Sequence, residues 1–128
     1  MNKFTKRLLA LGLALSIVAG AGGVSVLANT AQGFLNGYHI YCYSDITPNT
    51  AHAKTTVFAN GGMTRITSNY IYLNKKTLQK TKVTKQNRDI QSTEVYFTAP
   101  QNCSSVKVIS SHKVEFSSVW SGTTSAVL

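Results

Sequence analysis

Cysteine and histidine are the side chains of this sequence best suited to binding a metal or forming a nucleophile–base pair. Cys42 and Cys103 are its two cysteines, with His39 three residues before the first and His112 nine after the second. Residues three apart on an extended strand point to opposite sides, so His39 and Cys42 would diverge. No paired-ligand spacing of the usual zinc kind is present. We therefore predict no metal site and no cofactor.

The even number of cysteines favours a disulfide in a small exported domain. A Cys42–Cys103 bridge would close a loop of about sixty residues, which corresponds to roughly 4 kcal/mol of stabilisation in the chain-entropy model. The same oxidised state would remove the thiolate that nucleophilic catalysis requires. The sequence predicts this bridge.

Carboxylates are too few to indicate an enzyme by themselves. The four acids are Asp45, Asp89, Glu94 and Glu115. No Gly-x-Ser-x-Gly turn and no His-Glu-x-x-His helix occurs. We predict a non-enzymatic protein, and the alternative is a hydrolase whose acids are Glu94 and Glu115.

Positive charge is concentrated in the segment NKKTLQKTKVTKQNRD, from Asn74 to Asp89. Its six cations are Lys75, Lys76, Lys80, Lys82, Lys85 and Arg88. Such a run either binds an anionic surface or forms a solvated, lysine-bearing strand edge. The segment has no aromatic residue, so it lacks the stacking platform of a single-stranded nucleic acid site.

The first segment of the chain predicts where this charge acts. Lys3, Lys6 and Arg7 precede an uncharged run from Leu8 to Ala28 that ends in small residues. This order is typical of a secretory signal peptide, with cleavage expected after Ala28, and the alternative is a membrane anchor. We predict a secreted protein of a Gram-positive bacterium, with no transmembrane segment in its mature chain.

Removal of residues 1–28 would leave 128 − 28 = 100 residues, enough for a single domain at 29–128. Three of the thirteen Lys and Arg residues lie in the signal, so ten cations and four acids give 10 − 4 = +6. Export excludes intracellular nucleic acid as a partner. The expected partners are anionic wall polymers or lipid head groups, which attract a cationic surface in a salt-dependent way.

The elements that would position these residues are strands. Thr, Ser, Val, Ile and Tyr dominate after residue 28, and alternating segments recur with turn signals between them. The Asn-Gly-Gly turn at residues 60–62 predicts that 51–73 form a hairpin. The polar segment around 77–85 predicts an edge strand or a long hairpin arm. We expect an all-β protein, a small antiparallel β-sandwich or partly open barrel of about seven strands.

Tyrosines offer a second candidate surface. By strand alternation, Tyr43 and Tyr72 are the best candidates for exposed contacts with sugar rings or head groups. The alternative is ordinary packing, because aromatic residues are common in β cores.

The segment YSDITPNTAHAKTTVFANGGMTR, Tyr43–Arg65, resembles the Ser…His-x-Ala-Thr-Val…Asn-x-x-Gly region of lactococcin 972-type bacteriocins. The matching residues are Ser44, His52, Ala53, Thr55, Thr56, Val57, Asn60 and Gly62. This resemblance implies a small, cationic, signal-bearing β-sandwich protein of Gram-positive bacteria that acts on cell-wall synthesis. It transfers no functional residue.

The residues together predict a secreted, cationic binding protein at an anionic cell envelope. The most specific version of this prediction is a bacteriocin-like antagonist. One alternative is a structural or matrix protein that self-associates through β edges, and another is the hydrolase described above.

Overall fold

The structure is a computed structural model that describes residues 29–128, all of which belong to strands or their connections. The predicted signal peptide lies outside the described residues. The strands are β1 Thr30–Leu35, β2 Tyr38–Ile46, β3 Thr50–Val57, β4 Met63–Asn74, β5 Lys80–Ile90, β6 Ser92–Thr98, β7 Cys103–Glu115 and β8 Val119–Val127.

Eight strands form two antiparallel sheets of four, which confirms the predicted all-β class. The first sheet has the order β1-β2-β3-β6 and the second has the order β5-β4-β7-β8. We call them sheet A and sheet B. The number of strands, eight, is close to the predicted seven, and the longest is β7 with 13 residues.

The predicted hairpin over 51–73 is wrong. β3 pairs with β2 and β6, whereas β4 pairs with β5 and β7, so the connection at 58–62 crosses from one sheet to the other. Gly61 and Gly62 do adopt positive φ, as the turn signal predicts. A turn signal specifies that the chain reverses, but it does not specify that the two flanking strands share a sheet.

Alternation along the strands buries one side of each sheet against the other. One apolar cluster contains Ala51 and Phe97 of sheet A together with Ile66, Tyr70 and Val108 of sheet B. A second contains Ile40, Cys42, Val57, Val114 and Trp120. Val114 and Trp120 are fully buried in this second cluster, and the partly buried Phe116 packs against it.

A buried polar layer separates the two clusters. Along β7, Ser110 and His112 lie between Val108 of the first cluster and Val114 of the second. The layer contains the buried side chains Ser44, Thr55, Ser68, Ser110, His112 and Thr124. They form a continuous chain of hydrogen bonds across both sheets.

His112 is the titratable centre of this layer. Its Nδ1 lies 2.7 Å from Thr55 Oγ1, and its Nε2 lies 2.7 Å from Thr124 Oγ1. Only 1% of the residue is exposed. Burial penalises the imidazolium and lowers the pKa of His112 to about 3. The ring is therefore neutral at pH 7 and held by one donated and one accepted hydrogen bond.

The predicted disulfide is absent, because both cysteines are buried and free in the structure. Cys42 pairs across the sheet with Thr55, whose hydroxyl contacts His112. Cys103 lies 112 − 103 = 9 residues before His112 on the same strand, β7. At about 3.3 Å per residue this amounts to roughly 30 Å, whereas a disulfide requires Cα atoms within about 7 Å. An even cysteine count gave no information about position along the strands.

Candidate anion-binding face

β5 is an exposed edge strand of sheet B, as the polar alternation predicted. Its register against β4 pairs Lys80 with Leu73, Lys82 with Ile71 and Arg88 with Arg65. Odd-numbered residues of β4 point outward, because Thr64, Ile66, Ser68 and Tyr70 are buried. Their partners, the even-numbered residues of β5, therefore also point to the outer side of sheet B. Three of the six predicted cations, Lys80, Lys82 and Arg88, share this side.

Lys85 points the other way and fastens the edge of the sandwich. Its Nζ donates a 2.6 Å hydrogen bond to the backbone carbonyl of Tyr96 and lies 5.2 Å from the ring centre of Phe97. Asn87, on the same side of β5, donates to the backbone carbonyl of Glu94 at 3.1 Å. These bonds join β5 to β6 of sheet A, so Lys85 is engaged within the protein.

Lys75 and Lys76 lie in the turn between β4 and β5, at the opposite end of β5 from Arg88. The side chain of Asn74 shapes this turn, because its Oδ1 accepts hydrogen bonds from the backbone amides of Lys76 at 2.9 Å and Thr77 at 3.1 Å. The structure thus divides the six cations into an outer group of three, an inward lysine and a turn pair.

Three further cations, Arg65, Lys107 and Lys113, lie on the same outer side of sheet B. Arg65 of β4 lies between Arg88 of β5 and Lys113 of β7 in the register of the two strand pairs. Directly paired residues have Cβ atoms about 5 Å apart. We call Arg88, Arg65 and Lys113 the cationic row. No sequence signal could have selected it, because its members come from three separate segments.

Glu115 neutralises part of this row. Its Oε1 accepts a 2.7 Å hydrogen bond from Arg65 Nε, and 42% of the arginine side chain remains exposed. The side chains of Arg88 and Lys113 are exposed, and neither forms an ion pair within residues 29–128. The row therefore carries uncompensated positive charge.

Neutral hydrogen-bonding groups flank the row on the same face. One open depression is lined by Arg65 and Lys113 together with Thr67, Ser111 and Thr123. A neighbouring depression is lined by Arg65, Arg88, Thr67 and Gln86. Hydroxyl and amide donors beside cations are the groups that bind oxyanions such as phosphate.

The tyrosines predicted as contacts are both half-buried. Tyr72 packs against the first apolar cluster, whereas Tyr43 lies on the outer side of sheet A with its ring edge against His52. Tyr38 and Tyr96 are the more exposed tyrosines. Tyr96 stacks on His52 at 4.2 Å between ring centres. Alternation places Tyr43 on the outer side of sheet A, and it places Tyr72 on the inner side of sheet B, two residues after the buried Tyr70.

The carboxylates proposed for a hydrolase do not meet. Glu94 lies on the outer side of sheet A and Glu115 on the outer side of sheet B. Glu94 Oε2 accepts a 3.0 Å hydrogen bond from His52 Nε2, which lowers the pKa of that carboxyl. Glu115 is engaged by Arg65. The structure does not bring together the acid pair that this alternative requires.

Within residues 29–128, no group of three or more His, Cys, Asp or Glu side chains is placed to hold a metal ion. The same residues contain no helix long and apolar enough to cross a membrane. Comparisons of the chain with protein-family models, with curated proteins and with solved structures found no match.

Proposed function

We propose that this protein is a secreted, cationic, non-enzymatic binding protein that attaches to anionic polymers or head groups of a bacterial envelope through the outer face of sheet B. The single observation that carries this proposal is the cationic row, in which three positive side chains lie side by side on adjacent strands. Lys80 and Lys82 extend the positive charge along β5 on the same face.

Like charges directly opposite each other across strands are destabilising. Arg88 and Arg65 occupy such a pair, as do Arg65 and Lys113, and Glu115 offsets only one positive charge. A bound oxyanion would relieve this repulsion and would form charge-assisted hydrogen bonds with both arginines. Binding of an anion is therefore favoured by the same arrangement that costs stability in the free protein.

Binding of the described domain to purified Gram-positive cell walls, measured by sedimentation at increasing salt, tests the proposal. The double substitution Arg88→Gln/Lys113→Gln removes two charges from the row and leaves the Arg65–Glu115 pair in place. A cation near an anionic surface contributes about 1 kcal/mol, so we expect affinity to fall by roughly tenfold or more.

Lys75→Gln/Lys76→Gln is the matched control, because it removes the same net charge from the turn. It should weaken binding by less than the row variant, and salt should weaken binding of the unchanged protein steadily. Equal losses in both variants would refute the row as the site. Binding that persists at high salt would refute the charge-driven mechanism.

The sharper form of the proposal is a bacteriocin-like antagonist, which the resemblance of Tyr43–Arg65 implies. Growth of related Gram-positive strains in the presence of the purified domain tests it, and inhibition should weaken in the row variant. Equal inhibition by the unchanged protein and the row variant would show that growth inhibition does not depend on the cationic row.

A further inference from the structure

The exposed large apolar side chains are unevenly distributed between the two ends of the sandwich. Five of them lie at the end where β1, β3, β5 and β7 finish and β2, β4, β6 and β8 begin. They are Phe34, Tyr38, Phe58, Ile90 and Val119, each between 45% and 65% exposed. We call these five residues the apolar tip.

Backbone pairing shows that these strand ends adjoin. The amide of Phe58 donates to the carbonyl of His39, next to Tyr38, at 2.9 Å. Gln91, which follows Ile90, bonds to both Val57 and Gly62. Glu115 pairs with both Met63 and Val119 in sheet B. The tip therefore draws on both sheets.

Aromatic stacking arranges part of the tip as a ridge. The ring of His39 lies 5.3 Å from the ring of Phe34 on one side and 5.3 Å from that of Phe58 on the other. Tyr38 stacks on Phe116 at 5.7 Å. The rings of Phe34, His39 and Phe58 thus form one stacked group at the surface, and those of Tyr38 and Phe116 form a second.

The opposite end has a different character. Its connections at 47–49, 75–79 and 99–102 consist mainly of polar residues, Pro and Ala, and Leu78 is the exposed large hydrophobic residue there. Contiguous exposed apolar side chains on a small domain mark an interaction surface more often than scattered ones do. Because the exposed apolar side chains are concentrated at the tip end, we expect the interaction surface at that end.

The charge of the cationic row, and its distance from the apolar tip, indicate which partner the tip contacts. Arg88 lies two residues before Ile90, Arg65 two residues after Met63, and Lys113 two residues before Glu115. Two residues of strand span roughly 7 Å. Apolar side chains of interfacial proteins enter the head-group and acyl boundary by about 5–10 Å. Cations roughly 7 Å behind the tip would therefore lie at the level of anionic head groups.

Two carboxylates, those of Glu115 and Asp89, also lie near this end, and they do not make its net charge negative. Glu115 is paired with Arg65, and the Oδ1 of Asp89 accepts a hydrogen bond from the amide of Ile90 at 2.7 Å. The described residues carry ten cations against four acids, so the whole domain is attracted to an anionic surface.

We infer that the apolar tip docks into the surface of an anionic lipid bilayer, with the cationic row at the head groups. This inference rests on the proposed function and deepens it, because it selects the lipid surface and adds a second set of contacting residues. A polymer chain would bind the cationic row without contacting the exposed phenylalanines. An anionic bilayer would bind the row through its head groups and the apolar tip through its acyl boundary.

Cosedimentation with vesicles of phosphatidylcholine alone, or of phosphatidylcholine with phosphatidylglycerol, tests the inference. Phe34→Ser/Phe58→Ser removes the two most exposed rings of the tip. Since burial of one phenylalanine changes partitioning by at least tenfold, we expect the double variant to bind the anionic vesicles roughly tenfold or more weakly. Leu78→Ser/Tyr96→Ser is the matched control, because both side chains are similarly exposed but lie away from the tip. It should bind like the unchanged protein.

A soluble polyphosphate chain separates this inference from the proposed function. The tip variant should bind polyphosphate normally, whereas Arg88→Gln/Lys113→Gln should bind both polyphosphate and vesicles weakly. Unchanged vesicle binding by the tip variant would overturn the inference and leave the row intact. Failure of the unchanged protein to bind either probe would overturn both proposals.

A fluorescent label gives a readout that does not depend on affinity. Both native cysteines are buried, so Ser118→Cys near the tip and Thr77→Cys at the opposite end can each be labelled selectively. An environment-sensitive dye should shift to shorter wavelength with anionic vesicles at position 118 and not at 77. Equal shifts at both positions would refute tip-first docking. A self-associating tip, detected as a dimer in sedimentation that Phe34→Ser/Phe58→Ser abolishes, would also overturn it in favour of a second copy of the chain.

Discussion

Acidification should destabilise this protein through one buried side chain, His112. In the folded state burial lowers the pKa of His112 to about 3, from an ordinary value of 6.5. Between these two values the unfolded chain binds a proton that the folded chain does not. The free energy of unfolding therefore falls as pH falls below 6.5, by at most about 1.4 kcal/mol per pH unit.

The magnitude is large for a domain of this size. Integration of the linkage relation between pH 8 and pH 5 gives a loss of about 2 kcal/mol from His112 alone. Small domains have a net stability of about 5–15 kcal/mol. Glu94 also loses a stabilising interaction on acidification, because its pKa is lowered by His52, but that loss occurs as pH falls through and below the ordinary value of 4.5. The window from pH 6.5 to 5 thus lies above the range in which Glu94 contributes.

Urea denaturation at a series of pH values, followed by far-UV circular dichroism, measures this slope. His112→Gln replaces the imidazole with a neutral amide, so it should lower stability at pH 8 and flatten the dependence between pH 6.5 and 5. His39→Gln, at a half-buried ring outside the buried polar layer, is the matched control and should leave the slope unchanged. A flat profile in the unchanged protein, or an equal slope in His112→Gln, would refute the assignment.

Two further outcomes follow from the core. Cys42 and Cys103 are buried and free, so dithiothreitol should leave the melting temperature unchanged. Both thiols should react with a thiol reagent only on unfolding. A large drop in melting temperature with dithiothreitol would instead indicate a disulfide. Gly33→Ala should cost roughly 1–3 kcal/mol in urea denaturation, since a Cβ there would overlap the indole of Trp120. Gly61→Asn, at a positive φ with open space around it, should cost much less, and equal losses would refute the packing argument.

The side of the strand on which most residues lie was predictable from alternation. Val95 and Phe97 face inward while Glu94 and Tyr96 face outward, as a period of two requires. The exposed edge position of β5 was also predictable, because a strand polar on both sides cannot be central in a sandwich.

Sheet membership was not predictable in the same way. A hairpin and a crossing between sheets both need a chain reversal and both bury alternate residues. The choice for β3 and β4 depends on their long-range partners, β6 and β7, which follow much later in the chain. Local residue types do not encode that pairing.

The buried polar layer was also beyond local reasoning. Ser, Thr and His at alternate positions are compatible with a solvated strand face, and the residue type of His112 indicates a metal ligand or a catalytic base as readily as a core residue. Its environment is created by Thr55 and Thr124, which are 57 and 12 residues away in sequence. A neutral histidine becomes acceptable in the core only after both hydroxyls are in place.

The candidate binding face illustrates how strand register, rather than charge count, creates a site. The cluster at 75–88 holds six cations, yet only Lys80, Lys82 and Arg88 are strand residues on the outer side of sheet B. Alternation directs Lys85 towards β6, and Lys75 and Lys76 lie in the turn before β5. The strand β4 pairs with both β5 and β7, so its Arg65 gathers a cation from each neighbour into one row. A shift of β5 by one residue would direct Arg88 to the inner side of the sheet. The row therefore depends on the same pairing that buries Ile66 and Tyr70, which links anion binding to the integrity of the core.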